Sequence, residues 1–500
     1  MLAPAAIDDV CDALLARMPT HRSDLERLVR IPSVSADGFD PRRVRDSAEA
    51  VRDLLAERGL EHVRLLEVDG AHPAVYGDWL HAGDGAPSVL LYAHHDVQPP
   101  GDPTDWTSPP FEPTERGERL FGRGAADDKA GILVHVAAID AWLRARGRLP
   151  VNVKVLVEGE EETGSEHLGD FLQAYVDLLR ADVIVVTDSA NWRVGVPSIT
   201  YLLRGLVDCV VEVRGLDHAL HSGMYGGPVP DPLTGLVKLL AAMTDARGSV
   251  AIPGFCDDVR APTEVERDRL AALDFDLGRF RTDAGLLEGV ELGGQPDLHP
   301  LERLWMRPNA TIIGIDAPSV AESSNTIVPS ARARVSVRLA PGQDPRRARD
   351  LLCGWLSANV PWGLHVRVTP GAAVGAFVAD PFQGPARPAF EAAARALEAA
   401  YGHPVAHVGV GGTIPLIEPL SQAFGDAPAL LTGVEDPDTR AHGVDESLHL
   451  ADWVHACLAE AYLFAELQAV PRAAPQEPPA GREPGVRAAP QEPPAGGERV

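Results

Sequence analysis

The sequence predicts an α/β fold in which a mainly parallel sheet carries helices on both faces and is interrupted by a smaller, inserted α+β domain. Strand-like and helical patterns alternate over roughly the first two hundred residues, which is typical of parallel strands joined by crossover helices. From Ile199 the pattern changes to strands in which apolar and polar residues alternate. The first pattern returns after position 376. One α/β domain with a second domain inserted into it is the simplest architecture.

The first part of the α/β domain, residues 1–198, supplies most of the elements behind this prediction. Helical periodicity extends over Ser47–Arg58 and Ala130–Arg146. Short apolar runs rich in β-branched residues predict three strands, at Ser88–Ala93, Val151–Val157 and Asp182–Thr187. Because ligands collect outside the carboxyl ends of parallel strands, functional side chains are expected directly after these runs.

Residues 199–376 are predicted to form the inserted domain. Two of its strands are LVDCVVEVRG, at 206–215, and ARARVSVRL, at 331–339, and each has one face suited to solvent. A helix is predicted between them at Pro232–Ala246. These elements define an α+β unit with its own core.

The α/β domain resumes over residues 377–470, with a helix at Pro388–Tyr401 and a strand at Ala429–Gly433. Residues 471–500 repeat the segment RAAPQEPPAG and contain almost no large apolar residue. Such a segment cannot bury enough surface to offset the entropy of ordering. We therefore predict a disordered tail rich in proline and alanine.

Composition limits the partners and the compartment. The chain has 45 basic and 72 acidic residues, a formal net charge of −27, whereas nucleic-acid binding normally requires a basic surface. Its five cysteines are scattered singly, which excludes a thiolate zinc finger and fits a reducing compartment. No secretory signal and no apolar segment long enough for a membrane span is evident. A soluble, cytoplasmic protein without nucleic-acid or membrane partners is expected.

Five clusters of acidic and histidine residues follow strand-like runs of the α/β domain. Each cluster alone is a weak signal, because a histidine after a strand is usually a hydrogen-bonded loop residue and a run of glutamates is usually solvated. Together they would concentrate negative charge at one edge of the sheet, where the carboxylates would repel one another. Divalent metal ions would relieve this repulsion, so the pattern predicts a two-metal site. The clusters are AHHDVQPP (93–100), GRGAADDKAG (122–131), EGEEETGSEH (158–167), VVTDSA (185–190) and TRAHGVDES (439–447).

These motifs, together with WTSPPFEP and RLAPGQDP, resemble the di-zinc exopeptidase and deacylase family. That family includes carnosinase-type dipeptidases, carboxypeptidase G, acetylornithine deacetylase and succinyl-diaminopimelate desuccinylase. The resemblance extends from about Leu28 to Ala465 and is closest to the dipeptidase branch. It implies that the α/β domain is catalytic and that the inserted domain is a lid through which two subunits form a homodimer.

The resemblance also implies two Zn²⁺ ions per subunit, for which Co²⁺ or Mn²⁺ could substitute. His94 and Asp188 would bind one ion, and Glu162 and His442 the second. Asp127, the first aspartate of ADDK, would bridge the two ions. Nitrogen and carboxylate ligands without thiolate suit these metals.

Five further residues receive roles by the same resemblance. Asp96 would hydrogen-bond the metal-binding imidazole of the same motif and fix its tautomer. Glu161 would be the general base that activates a water molecule between the metals and passes the proton to the leaving amine. His221, in HSGMYGG, would reach the partner subunit's active site and stabilise the oxyanion. Arg338, together with Thr326, would receive the substrate's terminal carboxylate.

Several positions depart from the family pattern. Where the family commonly has Arg-Glu before Gly-Gly-Ser-Ile-Pro, this chain has Gly409 and Val410, so charge beside the substrate is lost. Gly412 and Thr413 could still present donors to the substrate. In the last cluster, Asp445 stands where the family usually has asparagine.

The function expected from these residues is that of a metal-dependent dipeptidase or related exopeptidase, which hydrolyses the amide of a short peptide. The alternative with the same chemistry is an N-acyl amino acid deacylase of the acetylornithine deacetylase or succinyl-diaminopimelate desuccinylase type. A non-catalytic binding protein with this fold would be expected to have lost a ligand or the base, whereas this sequence retains all of them.

Overall fold

A computed structural model describes residues 7–470 of the chain, and the predicted tail at 471–500 lies outside the described residues. The α/β domain begins with two helices, α1 (Asp8–Val29) and α2 (Pro41–Glu57). Asp40 caps the second helix by accepting a hydrogen bond from the backbone of Arg42, so this helix begins earlier than its apolar periodicity predicts. No helix among residues 7–470 has the length and apolar character needed to cross a membrane.

The remaining elements of the first part are β1 (Glu61–Leu66), β2 (Ala74–Trp79), β3 (Ser88–His94), β4 (Thr114–Arg116), β5 (Arg119–Phe121), α3 (Lys129–Arg146), β6 (Asn152–Glu158), α4 (Leu168–Leu179), β7 (Val183–Val186) and β8 (Ser198–Leu203). They begin with five strands in succession, after which helices and strands alternate from α3 to β7 as predicted.

The inserted unit follows β8. It contains β9 (Gly205–Arg214), β10 (Leu220–His221), α5 (Ser222–Tyr225), α6 (Pro232–Ala241), α7 (Glu264–Ala272), α8 (Leu277–Asp283), α9 (Pro300–Met306), β11 (Asn309–Asp316), β12 (Thr326–Ile327), β13 (Ser330–Leu339), α10 (Pro345–Ala358) and β14 (His365–Val374). The chain then returns to the α/β domain with β15 (Phe377–Val378), α11 (Arg387–Tyr401), β16 (Ala406–Val410), α12 (Ile417–Ala423), β17 (Ala429–Leu431), β18 (Ser447–His449) and α13 (Leu450–Leu467).

Parallel strands form the centre of the large sheet. Its order is β1-β2-β6-β3-β7-β17-β8-β15, with β16 also paired to β8. The four central strands β6, β3, β7 and β17 are parallel, whereas β1, β2, β8 and β15 join by antiparallel pairing. The carboxyl ends of the central strands therefore meet at one edge, and four of the five predicted ligand motifs follow those ends. The fifth, which contains Asp127, follows β5 of a separate three-stranded sheet of order β18-β5-β4. This parallel centre confirms the predicted fold class, and the antiparallel flanks add to it.

Helices cover both faces of this sheet. One face packs against α1, α3, α11 and α13 in a continuous apolar core, and the other packs against α4 and α12. Helix α3 is buried along most of its length, from Lys129 to Trp142. Because its first residue follows Asp127 and Asp128 directly, this buried helix fixes the acidic pair against the carboxyl edge of the sheet.

A four-stranded antiparallel sheet of order β11-β13-β9-β14 forms the inserted unit, with α6 and α10 packed on its apolar face. Strand β13 alternates buried and more exposed residues, as predicted. The strand Ser198–Leu203, which lies within the range predicted for the inserted domain, instead pairs in the large sheet. Its six residues are all buried, because both of its faces are covered. The change from one sheet to the other thus falls at Arg204.

Candidate active site

The structure brings the five predicted metal ligands together at the carboxyl edge of the large sheet. His94 is the last residue of β3, and Asp188 follows β7 by two positions. Asp127 lies two residues before the start of α3, Glu162 lies in a short turn after β6, and His442 lies in the loop after β17. Residues up to 348 positions apart in sequence thus converge, because parallel strands present their carboxyl ends to the same edge.

Two groups of ligand atoms form this cluster, and they share Asp127. One group is His94, Asp127 and Asp188, the other is Asp127, Glu162 and His442, and within each group the ligand atoms lie within 4.8 Å of one another. His94 Nε2 is 3.0 Å from one oxygen of Asp127, and His442 Nε2 is 3.1 Å from the other. Each oxygen of this one carboxylate is therefore available to a different metal position.

The orientation of His94 fits a metal ligand. Its Nδ1 lies 3.0 Å from the main-chain carbonyl of Asp96 and donates to it, which directs Nε2 toward the acidic cluster. That Nε2 is fully buried and lies 3.0 Å from the Asp127 carboxylate and 4.0 Å from that of Asp188. A buried imidazole nitrogen directed at two carboxylates is the arrangement in which a divalent cation would replace a proton.

Asp96 supports this imidazole differently from the expected way. The main-chain oxygen of Asp96 makes the hydrogen bond, whereas its carboxylate oxygen lies 3.4 Å from the same nitrogen. The other carboxylate oxygen accepts hydrogen bonds from the Ser35 hydroxyl at 2.7 Å and from the backbone N–H of Glu162 at 3.1 Å. Asp96 therefore links the two ligand motifs as well as facing the ring.

The electrostatics of the cluster favour the binding of cations. Burial raises the pKa of Asp188 to about 7, and burial together with the negative charge of Asp127 raises the pKa of Glu162. Hydrogen bonds to Asp127 and Glu162 raise the pKa of His442 to about 11. Without metal ions, a proton on His442 offsets part of the repulsion among these carboxylates. Bound divalent cations would replace such protons.

Glu161 lies beside the ligand cluster at the start of the turn that carries Glu162. Burial first, and then the negative charge of Asp188, raise its pKa well above the ordinary value for glutamate. The neighbouring Glu160 is used differently, since its carboxylate accepts hydrogen bonds from the His72 backbone at 2.8 Å and contacts the His167 ring at 3.0 Å. Glu162 is held by the Gln98 side chain at 2.7 Å. The three adjacent glutamates thus have three distinct environments.

Glu446 is a residue that sequence reasoning did not select. Its fully buried carboxylate accepts hydrogen bonds from Arg123 Nη1 at 2.7 Å and from the backbone N–H groups of Gly124, Ala126 and Asp127 at 2.9–3.2 Å. It therefore connects the loop of His442 to the loop of the shared ligand. The sequence signal that could have identified Glu446 is its position in the same motif as His442.

The predicted substrate-binding residues Arg338 and Thr413 are in contact. Arg338 Nη1 donates to Thr413 Oγ1 at 2.9 Å, and Gly412 precedes this threonine in the loop after β16. The buried Arg204 lies next to them and donates to Asn309 Oδ1 at 2.6 Å. Burial lowers the pKa of Arg204 to about 10, so it remains cationic at neutral pH. Among residues 7–470 neither arginine is in an ion pair with a carboxylate, so the site is suited to an anionic group.

The structure does not bring Thr326 to Arg338 within one chain. Thr326 precedes strand β13, whose residues from Ser330 to Arg338 span about 27 Å at the usual rise of an extended strand. Thr326 is instead paired across β12 and β10 with His221, and both residues are exposed. The His221 ring accepts a hydrogen bond from the Gly223 backbone at 3.1 Å. The shared role of Arg338 and Thr326 at the substrate carboxylate therefore stays a prediction, and it requires that the two residues come from different chains.

The departures from the family pattern have structural explanations. A Cβ atom at Gly409 would lie 2.8 Å from the indole of Trp305, so a side chain there would displace the tryptophan. Asp445 accepts hydrogen bonds from the Thr107 hydroxyl at 2.6 Å and from Arg116 at 3.2 Å. Its carboxylate thus forms an ion pair with Arg116 that asparagine could not form.

Oxygen and nitrogen ligands in two groups around one shared carboxylate, at the carboxyl edge of an α/β sheet, define a metal-dependent enzyme. The family model described as Peptidase family M20/M25/M40 matches residues 90–466, and the chain belongs to this family. Membership implies a divalent metal cofactor.

Several characterised proteins are similar to this chain. A "Cysteinylglycine-S-conjugate dipeptidase" from Corynebacterium striatum is 36% identical over 418 residues, which covers 83% of this chain and 88% of that protein. The solved structure of human carnosine dipeptidase 1 has a TM-score of 0.79 at 25% identity and covers 93% of this chain and all of that chain. The di-peptidase Dug1p from Saccharomyces cerevisiae has a TM-score of 0.83 at 24% identity, covering 93% and 98% of the two chains, and supports the fold.

Proposed function

We propose that this protein is a metallodipeptidase that hydrolyses the amide bond of dipeptides with two zinc ions per subunit. The observation that carries the proposal is the pair of ligand groups that share Asp127. A single carboxylate with a histidine at each oxygen is the arrangement that bridges two cations. Cobalt or manganese could replace zinc, because the ligands are nitrogen and oxygen only.

The relatives favour a dipeptide over an N-acyl amino acid as the substrate. Those reported above are described as acting on cysteinylglycine S-conjugates or as dipeptidases, and a further relative, from Homo sapiens, is a "Beta-Ala-His dipeptidase". Arg338 would receive the terminal carboxylate of the dipeptide, because its guanidinium contacts Thr413 and has no ion-pair partner among residues 7–470. Thr413, and Gly412 through its backbone N–H, would add hydrogen bonds to the same end of the substrate.

Glu161 would act as the general base and then as the general acid. When bound, the two metals would polarise the scissile carbonyl and lower the pKa of the attacking water. Glu161 would take the proton of that water and deliver it to the amine that leaves. His94 would be held in the correct tautomer by the Asp96 carbonyl, and Glu446 would hold the loop of the shared ligand.

A homodimer would complete the site. Strand β11 is at the edge of the four-stranded sheet and exposes Ile312, Ile313 and Ile315, which supports association of two inserted domains. His221 and Thr326 are exposed on the same unit and would act in the partner subunit's active site, where His221 would stabilise the oxyanion. The five unpaired cysteines support a location in the reducing cytoplasm.

A substrate panel tests the proposal. The purified protein, loaded with Zn²⁺, is assayed with dipeptides that include Cys-Gly, an S-benzyl conjugate of Cys-Gly and β-Ala-His, and with N-acetyl and N-succinyl amino acids. We expect hydrolysis of dipeptides that depends on metal and is abolished by a chelator. Fast hydrolysis of N-acyl amino acids with no turnover of any dipeptide would contradict the proposal.

A further inference from the structure

A cavity of about 410 Å³ lies between the α/β domain and the helices of the inserted unit. Its volume falls in the range of pockets that hold small ligands. Strand β16 forms one wall with Val408 and Val410, and the opposite wall comes from α8 and α9. We refer to this cavity as the Trp305 pocket. Its aromatic and aliphatic walls are formed mainly by Trp192, Phe275, Phe280, Leu301, Leu304 and Trp305.

Four of the five charged residues around this pocket form ion pairs with one another, and the fifth, Asp276, caps α8 by accepting a hydrogen bond from the Arg279 backbone. Arg193 forms an ion pair with Asp274 at 2.6 Å, and Arg279 forms one with Asp283 at 3.5 Å. Asn191 is also satisfied, since its amide donates to Tyr401 and its oxygen accepts from the backbone of Ser198. The pocket therefore offers an apolar surface rather than free charges, which suits an apolar ligand group.

The shape of the pocket depends on Gly409. Trp305 packs against this glycine so closely that any Cβ atom would collide with its indole ring. The next residue, Val410, also lines the pocket and contributes an apolar side chain. Positions 409 and 410, which carry no charge in this chain, therefore form part of the apolar wall of the pocket.

Two chain segments that carry residues of the site also line the pocket. On one side it is lined by Ala190, two residues after the ligand Asp188. On the other side it is lined by Gly411, two residues before Thr413, which contacts Arg338. A dipeptide bound with its carbonyl at the metals and its carboxylate at Arg338 would lie beside this pocket.

We propose that the Trp305 pocket receives a large apolar side chain of the dipeptide, so that the enzyme selects substrates carrying a bulky aliphatic or aromatic residue. This inference rests on the proposed dipeptidase function and adds the substrate class. This side chain belongs to either the first or the second residue of the dipeptide. In both cases the group that enters the pocket is a large apolar side chain.

The test measures kcat/KM of the zinc-loaded, full-length protein for two series, X-Gly and Gly-X, with X as Ala, Leu, Phe, Asp or Lys. Burial of a large apolar side chain is expected to favour Leu and Phe over Ala by about 10- to 100-fold in one series. The series that responds identifies which residue enters the pocket. Equal rates for Ala, Leu and Phe in both series would overturn the proposal while leaving the dipeptidase function intact. No hydrolysis of any dipeptide would instead contradict the function.

Filling the pocket gives a second readout. Ala284 is exposed at the end of α8 and lines the pocket. A284W should therefore lower the ratio of kcat/KM for the Phe substrate to kcat/KM for the Ala substrate by about tenfold. The matched control A272W places the same side chain at the exposed end of α7, outside the pocket, and should leave that ratio unchanged. If A284W does not fold, V410D is used, because a carboxylate on the wall should lower the same ratio. An unchanged ratio in the folded variant refutes the assignment.

Discussion

Replacing Glu446 with glutamine should weaken metal binding although Glu446 is not itself a ligand. Its carboxylate is fully buried and accepts four hydrogen bonds, one from the Arg123 guanidinium and three from backbone N–H groups, including that of Asp127. A glutamine side chain has the same shape but only one oxygen, and its NH₂ group would face donors. The variant therefore leaves either Arg123 Nη1 and the Gly124 N–H, or the N–H groups of Ala126 and Asp127, without their carboxylate acceptor.

The magnitude follows from these contacts. Removing one partner of a buried ion pair typically costs about 3–5 kcal/mol in the free energy of unfolding. Displacement of the loop that carries Asp127 should also lower metal affinity by about 10- to 100-fold, as loss of supporting contacts around metal ligands commonly does. Urea unfolding of the metal-free protein measures the first effect, and competition for Zn²⁺ with a chromophoric chelator measures the second.

The neighbouring Asp445 provides a matched control. D445N also converts a carboxylate to an amide in the same loop, but Asp445 pairs with Arg116 and Thr107 near the surface. Its replacement should cost no more than about 1 kcal/mol and should leave metal affinity unchanged. If E446Q and D445N behave alike, the role assigned to Glu446 is incorrect.

Three further predictions concern the base, the protons and the partner subunit. E161Q should reduce kcat by about 100- to 10,000-fold while metal content, measured by atomic emission, stays unchanged; loss of metal would show that Glu161 is a ligand instead. The raised pKa of His442, about 11, keeps this side chain protonated in the absence of metal. The affinity for Zn²⁺ should therefore rise by up to about tenfold per pH unit for each proton that the metal displaces. An affinity that does not change between pH 6 and 8 would contradict this prediction. The hydrogen bonds of protonated His442 to Asp127 and Glu162 stabilise the metal-free protein fully below the ordinary pKa of 6.5. This stabilisation is lost as the pH rises through about 11. Mixing inactive H221A with inactive E161Q should restore about one quarter of wild-type activity if His221 acts across a dimer. Half of the randomly formed dimers then contain both variants, and each of these has one complete site out of two. No recovery of activity, or a monomer in sedimentation, would show that His221 does not belong to the site.

The sequence alone determined the fold class and the places where acidic and histidine clusters follow strands, whereas the individual candidate metal ligands came from the family resemblance. The fold class and the clusters depend on local patterns, because an apolar β-branched run specifies a buried strand and a parallel sheet presents its functional residues after such runs. The clusters after β3, β6 and β7 could therefore be expected to meet. The local pattern also predicted the alternation in β13.

Only the tertiary structure decided which groups touch. It separated the roles of Glu160, Glu161 and Glu162, because neighbours from other parts of the chain occupy two of these carboxylates. It also assigned the hydrogen bond of His94 to a main-chain carbonyl, and it placed Thr326 about a strand's length from Arg338. Contacts of this kind depend on distances between segments far apart in sequence, and no local periodicity encodes those distances.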